Sequence, residues 1–341
     1  MNPARLISRS HPRVLAAAAC AVLLTTATAC GDGGKGSSAA GGPLSGQSVI
    51  LVAGPLSDPF FGAMKKGAED AGKMLGVSVD YTAPNDFSNP AGDLTRLIEA
   101  AITKKPTSLV VGNFIPPAEE PLIKKAVGAG ITVTVINSGL GSWESLGAKA
   151  FVGENPTGSG SAAGRDLAGK GVRHGLCINH VPENPALQQR CDGFTAELKK
   201  AGGNAAMLTI PSSQASDQQA VTQAVQGYLR SHKDVDGILT LGTAVAQGAL
   251  KAREASGAKT IKIGTTDIST QVLNQVKDGA LEFAIDQQPY LQSFYGVLTA
   301  SQSKAYGLRP AGPIMTSPLI LTKANVDEAL AAQKRDVRGA A

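Results

Sequence analysis

From residue 48 onward, short apolar, β-branched runs alternate with stretches whose apolar residues recur every three or four positions. The run 48–54, SVILVAG, is continuously apolar, the pattern of a strand buried on both faces. From Pro59 the chain puts Phe61, Met64, Ala68, Ala71 and Leu75 on one helical face and Lys65, Lys66, Glu69 and Asp70 on the other. Gly76 is placed to cap that helix. A strand over 77–84 follows, then a helix opened by Asn89-Pro90 with Leu94, Leu97, Ile98, Ala101 and Ile102 inward. A strand over 108–114, a helix to Ala129 and a strand over 132–138 complete this first series. After a loop at 139–149 the pattern restarts. Strands are expected at 150–155, 175–181, 205–211, 237–242 and 261–267, with helices between them. Right-handed βα repeats build parallel doubly wound sheets, and two series predict two similar α/β lobes. In such sheets ligands bind beyond the carboxyl ends of the strands. A site shared by two facing lobes would be a cleft able to close on a hinge.

The N-terminus reads differently. Arg5, Arg9 and Arg13 precede the apolar run VLAAAACAVLL, which is too short for a stable membrane span and ends in small residues. Residues 1–29 therefore read as a secretory signal, and the protein as exported. The exit, Ala27-Thr28-Ala29-Cys30-Gly31, resembles the lipobox of bacterial lipoproteins, which makes Cys30 a lipidation site facing outward from the cell membrane. Cleavage by ordinary signal peptidase at the same bond would instead leave Cys30 as an unmodified N-terminus. The Gly/Ser-rich tract that follows suits a flexible tether over 30–47. Two acyl chains would anchor it firmly. Without the three signal arginines the net charge falls from +5 to +2, and what remains is scattered, so no nucleic-acid partner is indicated. Of the four cysteines, Cys177 and Cys191 remain for the folded body, in an oxidising compartment, either as a disulfide or as two buried thiols.

Signatures of chemistry are weak. Gly164-x4-Gly169-Lys170 lacks the Ser or Thr of a P-loop, since Gly171 follows. Gly158-x-Gly160 with Gly164 misses the dinucleotide fingerprint by one residue and reads as tight helix packing. His174, His180 and His232 lack metal-ligand spacing, and no nucleophile stands beside a base. No catalytic residue, metal or cofactor is expected.

Several short pieces carry a family resemblance. They are Ser57-Asp58-Pro59-Phe60-Phe61 after the first strand and Arg190-Cys191-Asp192-Gly193-Phe194 early in a helix. Asp267 with Lys277-Asp278-Gly279, and Asp286-Gln287-Gln288-Pro289-Tyr290, complete the set. In this order and spacing the chain resembles the type I periplasmic binding proteins of the ribose- and galactose-binding group, the solute receptors of sugar-importing ABC transporters. The resemblance spans nearly all of 48–330. It implies a monomer with three crossings between lobes: one lobe over 48–148 plus 287–310, the other over 149–286 plus 311–332, and a tail over 333–341. The last strand would be 318–322. It further implies a small polar ligand, a monosaccharide or polyol, and an ABC permease as partner. A sensory solute receptor and an extracellular α/β enzyme remain the alternative readings, because fold alone does not fix function.

The same resemblance nominates ligand contacts. Phe60 and Phe61 could stack on the C–H face of a sugar ring, although Phe61 also fits the buried helix face. Asp58, where relatives often carry Asn, could accept hydroxyl hydrogen bonds or cap the helix. Arg190 matches a ligand-contacting arginine whose planar donor fork suits adjacent hydroxyls. Asp267, Gln287 and Asn137 match further polar contacts, although Asp267 also suits the N-cap of the helix that follows and Gln287 a polar hinge position; the strand-end loops add Asn113, Phe114 and Trp143 as looser candidates. Where the ribose pattern has Asp, Arg and Asn, this chain has Asn137, Ser138 and Gly242, which argues against ribose itself.

Overall fold

The computed structural model describes residues 44–335 and Val337. The expected signal, Cys30 and most of the tether lie outside the described residues. Two six-stranded sheets carry the fold. The first contains β1 (Ser48–Val52), β2 (Ser78–Thr82), β3 (Ser108–Gly112), β4 (Thr132–Asn137), β5 (Ala150–Gly153) and β11 (Ile314–Met315), in the spatial order β11-β5-β4-β3-β1-β2. The second contains β6 (His174–Asn179), β7 (Asn204–Thr209), β8 (Gly237–Thr240), β9 (Lys262–Thr266), β10 (Phe283–Asp286) and β12 (Leu319–Leu321), in the order β12-β10-β9-β8-β6-β7. All pairings are parallel except β10 with β12. The two-lobed, doubly wound architecture expected from the alternating pattern is thus present.

Helices cover both sheets. In the first lobe α1 (Pro59–Leu75) packs with α9 (Pro289–Tyr306), and α2 (Pro90–Thr103) with α3 (Pro116–Gly128). In the second, α4 (Pro156–Gly169) packs with α5 (Pro185–Lys200), and α6 (Gln218–Ser231) with α7 (Thr243–Ala255). There α8 (Thr270–Asp278) packs on α10 (Val326–Gln333). The central strands β1, β3, β4 and β8 are buried almost throughout, as continuous apolar runs require. Local signals behave as their chemistry dictates. Asp58 accepts a hydrogen bond from the Phe60 N–H at 3.0 Å to cap α1, and Gly76 ends that helix in the left-handed conformation at φ 68°. Gly160 allows α4 to press on α5, since a Cβ there would lie 1.9 Å from the Arg190 carbonyl oxygen.

The boundary between lobes differs from the sequence expectation. The strand at 150–153 does not open the second lobe; as β5 it pairs with β4, Val135 opposite Phe151 and Ile136 opposite Val152. The loop 139–149 stays with the first lobe, where Trp143 and Leu146 are buried in its core and the Lys149 N–H donates to Val133 O at 2.7 Å. The reason is edge satisfaction: β4 would otherwise end the sheet with unpaired backbone, and the all-buried AFVG segment supplies its partner. For the same reason residues 314–315 belong to the first sheet, pairing with β5 through Ile314–Val152 and Met315–Gly153. The chain therefore passes between lobes after Gly153, after Asp286 and after Met315. The end of the expected tether is also part of the body: Gln47 is buried and its side-chain amide donates to Ser301 O at 3.3 Å.

Candidate functional site

The two sheets bring their carboxyl ends together, and the residues just past the strands line one cavity. Its volume is about 70 Å³, several times the roughly 10–15 Å³ that one water needs. All seven residues nominated from sequence line it: Asp58, Phe60, Phe61, Asn137, Arg190, Asp267 and Gln287. Asp58 and the two phenylalanines follow β1, Asn137 ends β4, Asp267 follows β9, and Gln287 lies in the crossing after β10.

One wall is aromatic. Phe60 and Phe61 meet edge to face at 5.0 Å between ring centres, and Phe61 meets Phe87 at 5.7 Å and Phe114 at 6.0 Å. Gly54 and Gly112 make room for this wall, since a Cβ on either would lie 2.2 Å from the Phe61 or Phe114 ring. Both nominated phenylalanines are buried, so packing and wall-building are one role here.

The cavity lining also holds a polar network. Arg190, only 4 % exposed, donates from Nε to Glu154 Oε1 at 2.6 Å, and its Nη2 lies 2.5 Å from the same oxygen. Glu154 is fully buried, and its other oxygen accepts from Ser159 Oγ at 2.7 Å. Arg190 Nη2 also donates to Gln287 Oε1 at 3.0 Å, and the Gln287 amide donates to Asp267 Oδ1. Asn137 Nδ2 reaches Gln292 Oε1 at 3.0 Å and Gln287 Oε1 at 3.4 Å. Gln287 is thus the joint through which both lobes address the cavity. Across the cleft, Asn184 Nδ2 donates to Ser138 Oγ at 3.3 Å, a direct tie between the lobes. Behind it, Thr316 holds two crossings together, its N–H on Gly153 O at 2.8 Å and its hydroxyl on Gln287 O at 2.8 Å.

Asp58, Asp267 and His180 are half-buried and line the cavity. Burial pushes the Asp267 carboxyl up to about 8, with the Arg190 charge pulling it down and the Asp58 charge adding to the rise. Burial likewise raises Asp58, against the pull of the Phe60 N–H. His180 is pushed down to about 4 by burial and by Arg190. These shifts predict opposed pH dependences. Asp267 titrates near 3.9 when unfolded, so the native state holds the extra proton between about pH 4 and 8, and stability falls as pH rises through that window. His180 acts in the opposite sense, since its stabilising neutral form is lost as pH drops from about 6.5 toward 4. Above pH 6.5 the carboxyls dominate, Asp267 together with Glu119, which burial also pushes up to about 8. Urea denaturation between pH 6.5 and 8 is expected to show a decline that Asp267→Asn makes shallower without abolishing it; an unchanged slope would contradict the role of Asp267.

Sequence reasoning missed Glu154, His180, Asn184 and Phe87. His180 follows β6 and Glu154 follows β5, so the strand-tip rule alone would have found both. Phe87 lies in an irregular segment with no periodic signal. Of the looser candidates, Phe114 joins the aromatic wall, whereas Asn113 is held by Glu120 and Ser142 outside the cavity, and Trp143 packs in the first lobe's core. Asp267 does not cap α8; Ser269 does. Cys177 in β6 and Cys191 in α5 form a disulfide with a Cα separation of 5.6 Å. Among the described residues no cluster of His, Cys, Asp or Glu could hold a metal, and no helix is long and apolar enough to cross a membrane.

Comparison with known proteins agrees with this geometry. The chain is 28% identical to the ribose import binding protein of Bacillus subtilis, covering 72% of this chain and 77% of that one. It is 26% identical to the xylose/arabinose-binding protein of Sulfolobus acidocaldarius, covering 84% of this chain and 73% of that one. A solved carbohydrate transporter protein from Acidothermus cellulolyticus, in complex with myo-inositol, superimposes with a TM-score of 0.78 at 29% identity, over 86% of this chain and 99% of that one. Residues 49–305 match the model of the periplasmic binding protein domain, and the chain belongs to that family.

Proposed function

We propose that the protein is the substrate-binding component of an ABC importer, capturing a simple sugar or cyclic polyol outside the membrane and delivering it to the permease. The observation that carries this reading is the convergence of both lobes and a crossing on one cavity lined by an aromatic cluster and a polar network. Such a cavity suits a ring that is apolar on its C–H faces and polar at its rim. The Arg190 Nη1 donors have no partner among the described residues, and Asp58 and Asp267 each use one carboxylate oxygen within the protein. Donors and acceptors are thus left for hydroxyls, which need both. The names of the relatives, which bind ribose, xylose, arabinose or myo-inositol, support this solute class. The lipobox-like sequence at Cys30 supports tethering to the membrane at the outer face, so that the loaded protein stays near its permease.

A thermal-shift screen with myo-inositol, D-ribose, D-xylose and D-allose tests the reading. At a hundredfold excess over Kd a solute stabilises by about 2.7 kcal/mol, a rise in Tm of roughly 5–10 °C. Phe60→Ala is expected to weaken the best solute about tenfold or more by removing part of the aromatic wall. Turnover of the solute, or no shift with any of the four, would point away from a receptor.

A further inference from the structure

His180 stands at the tip of β6, in the lining of the same cavity as the phenylalanines, and no step of the reading above uses it. Its ring lines the central cavity and also a neighbouring pocket between Ser57 and Gly242. Its Nδ1 is buried without a hydrogen-bond partner among the described residues, an arrangement that is costly for a polar atom left unserved. Its neighbours explain the space it occupies. A Cβ on Gly242, at the tip of β8, would come within 3.1 Å of both Cε1 and Nε2 of the ring. The imidazole therefore fills the room that a side chain at 242 would need. The charged and titratable groups that share its cavity are Arg190, Asp58 and Asp267, and Arg190 is already engaged by Glu154.

Resting on the solute-binding reading, we propose that His180 is a specificity-determining contact, hydrogen-bonding a hydroxyl of the bound solute from the β6 tip in place of a side chain at position 242. A neutral imidazole offers one donor and one acceptor on opposite edges of a rigid plane, so it fixes the direction of one hydroxyl. Burial and Arg190 keep the ring neutral at ordinary pH. Epimers that turn that hydroxyl elsewhere leave a buried ring nitrogen unpaired and bind less well.

Calorimetric titration of the mature protein with myo-inositol, D-ribose, D-xylose and D-allose tests this, using wild type, His180→Ala and His180→Gln. The tightest-binding of the four is expected to weaken tenfold or more in His180→Ala, with the affinity ratios among the four compressed. His180→Gln, which keeps a donor and an acceptor, is expected to recover part of that loss. Purely structural damage would lower all affinities together and leave the ratios intact, which would overturn the proposal. Unchanged affinities in both variants would overturn it too. Should His180→Ala fail to fold, the ratios measured in His180→Gln decide alone. If wild type binds none of the four, the solute reading itself fails and His180 falls with it.

Discussion

Arg190→Ala is expected to abolish measurable solute binding and to lower stability by about 3–5 kcal/mol. The two losses have different origins. Binding suffers because the guanidinium supplies the one Lys or Arg charge that lines the cavity among the described residues, and it orients Gln287 at the lobe joint. Stability suffers because Glu154, fully buried, loses the charge that balances it. Glu154→Gln separates them: the arginine stays, its anchor becomes neutral, and binding is expected to fall less than in Arg190→Ala. Arg190→Met combined with Glu154→Gln removes both charges and is expected to regain most of the stability but none of the binding. Urea denaturation and calorimetry on the three variants check the pattern. Wild-type stability in Arg190→Ala would refute the ion-pair account of this site.

The second large effect concerns the disulfide. Cys177 and Cys191 are 14 residues apart, and the segment they close contains His180, Asn184, Leu187 and Arg190, much of the second lobe's share of the cavity. Closing a loop of about 15 residues stabilises by about 3 kcal/mol in the chain-entropy view. Replacing both cysteines with alanine is expected to lower stability by about that amount. Solute affinity should drop as well, because the segment that positions Arg190 is no longer pinned to β6. Equal denaturation midpoints for the variant and the wild type would refute the first part, and equal affinities the second.

Much of this was legible in the chain because strand tips are legible. Buried parallel strands are continuous apolar runs, so their ends, and the residues beyond, can be read directly; Asp58, Asn137 and Asp267 were found that way and through the family resemblance. What escaped depends on contacts between distant segments. Nothing in AFVG says whether it extends one sheet or begins another, since both choices bury it; the open edge of β4 decides. Glu154 looked like any charge after a strand, and only the approach of α5, permitted by Gly160, gives it Arg190 as a partner. Phe87 joins the aromatic wall from an irregular segment, where no spacing rule applies.

The three passages of the chain between lobes also govern the order in which the molecule can be assembled. The first lobe receives α9 and its edge strand β11 only after nearly all of the second has been made, β11 lying more than 160 residues beyond its partner β5. A nascent chain that has reached Asp286 holds a first sheet with a bare edge and α1 without its packing partner. Contacts of such long sequence separation slow folding. The polypeptide is thus kept from locking early, and the first lobe closes its open edge only when the second is nearly complete.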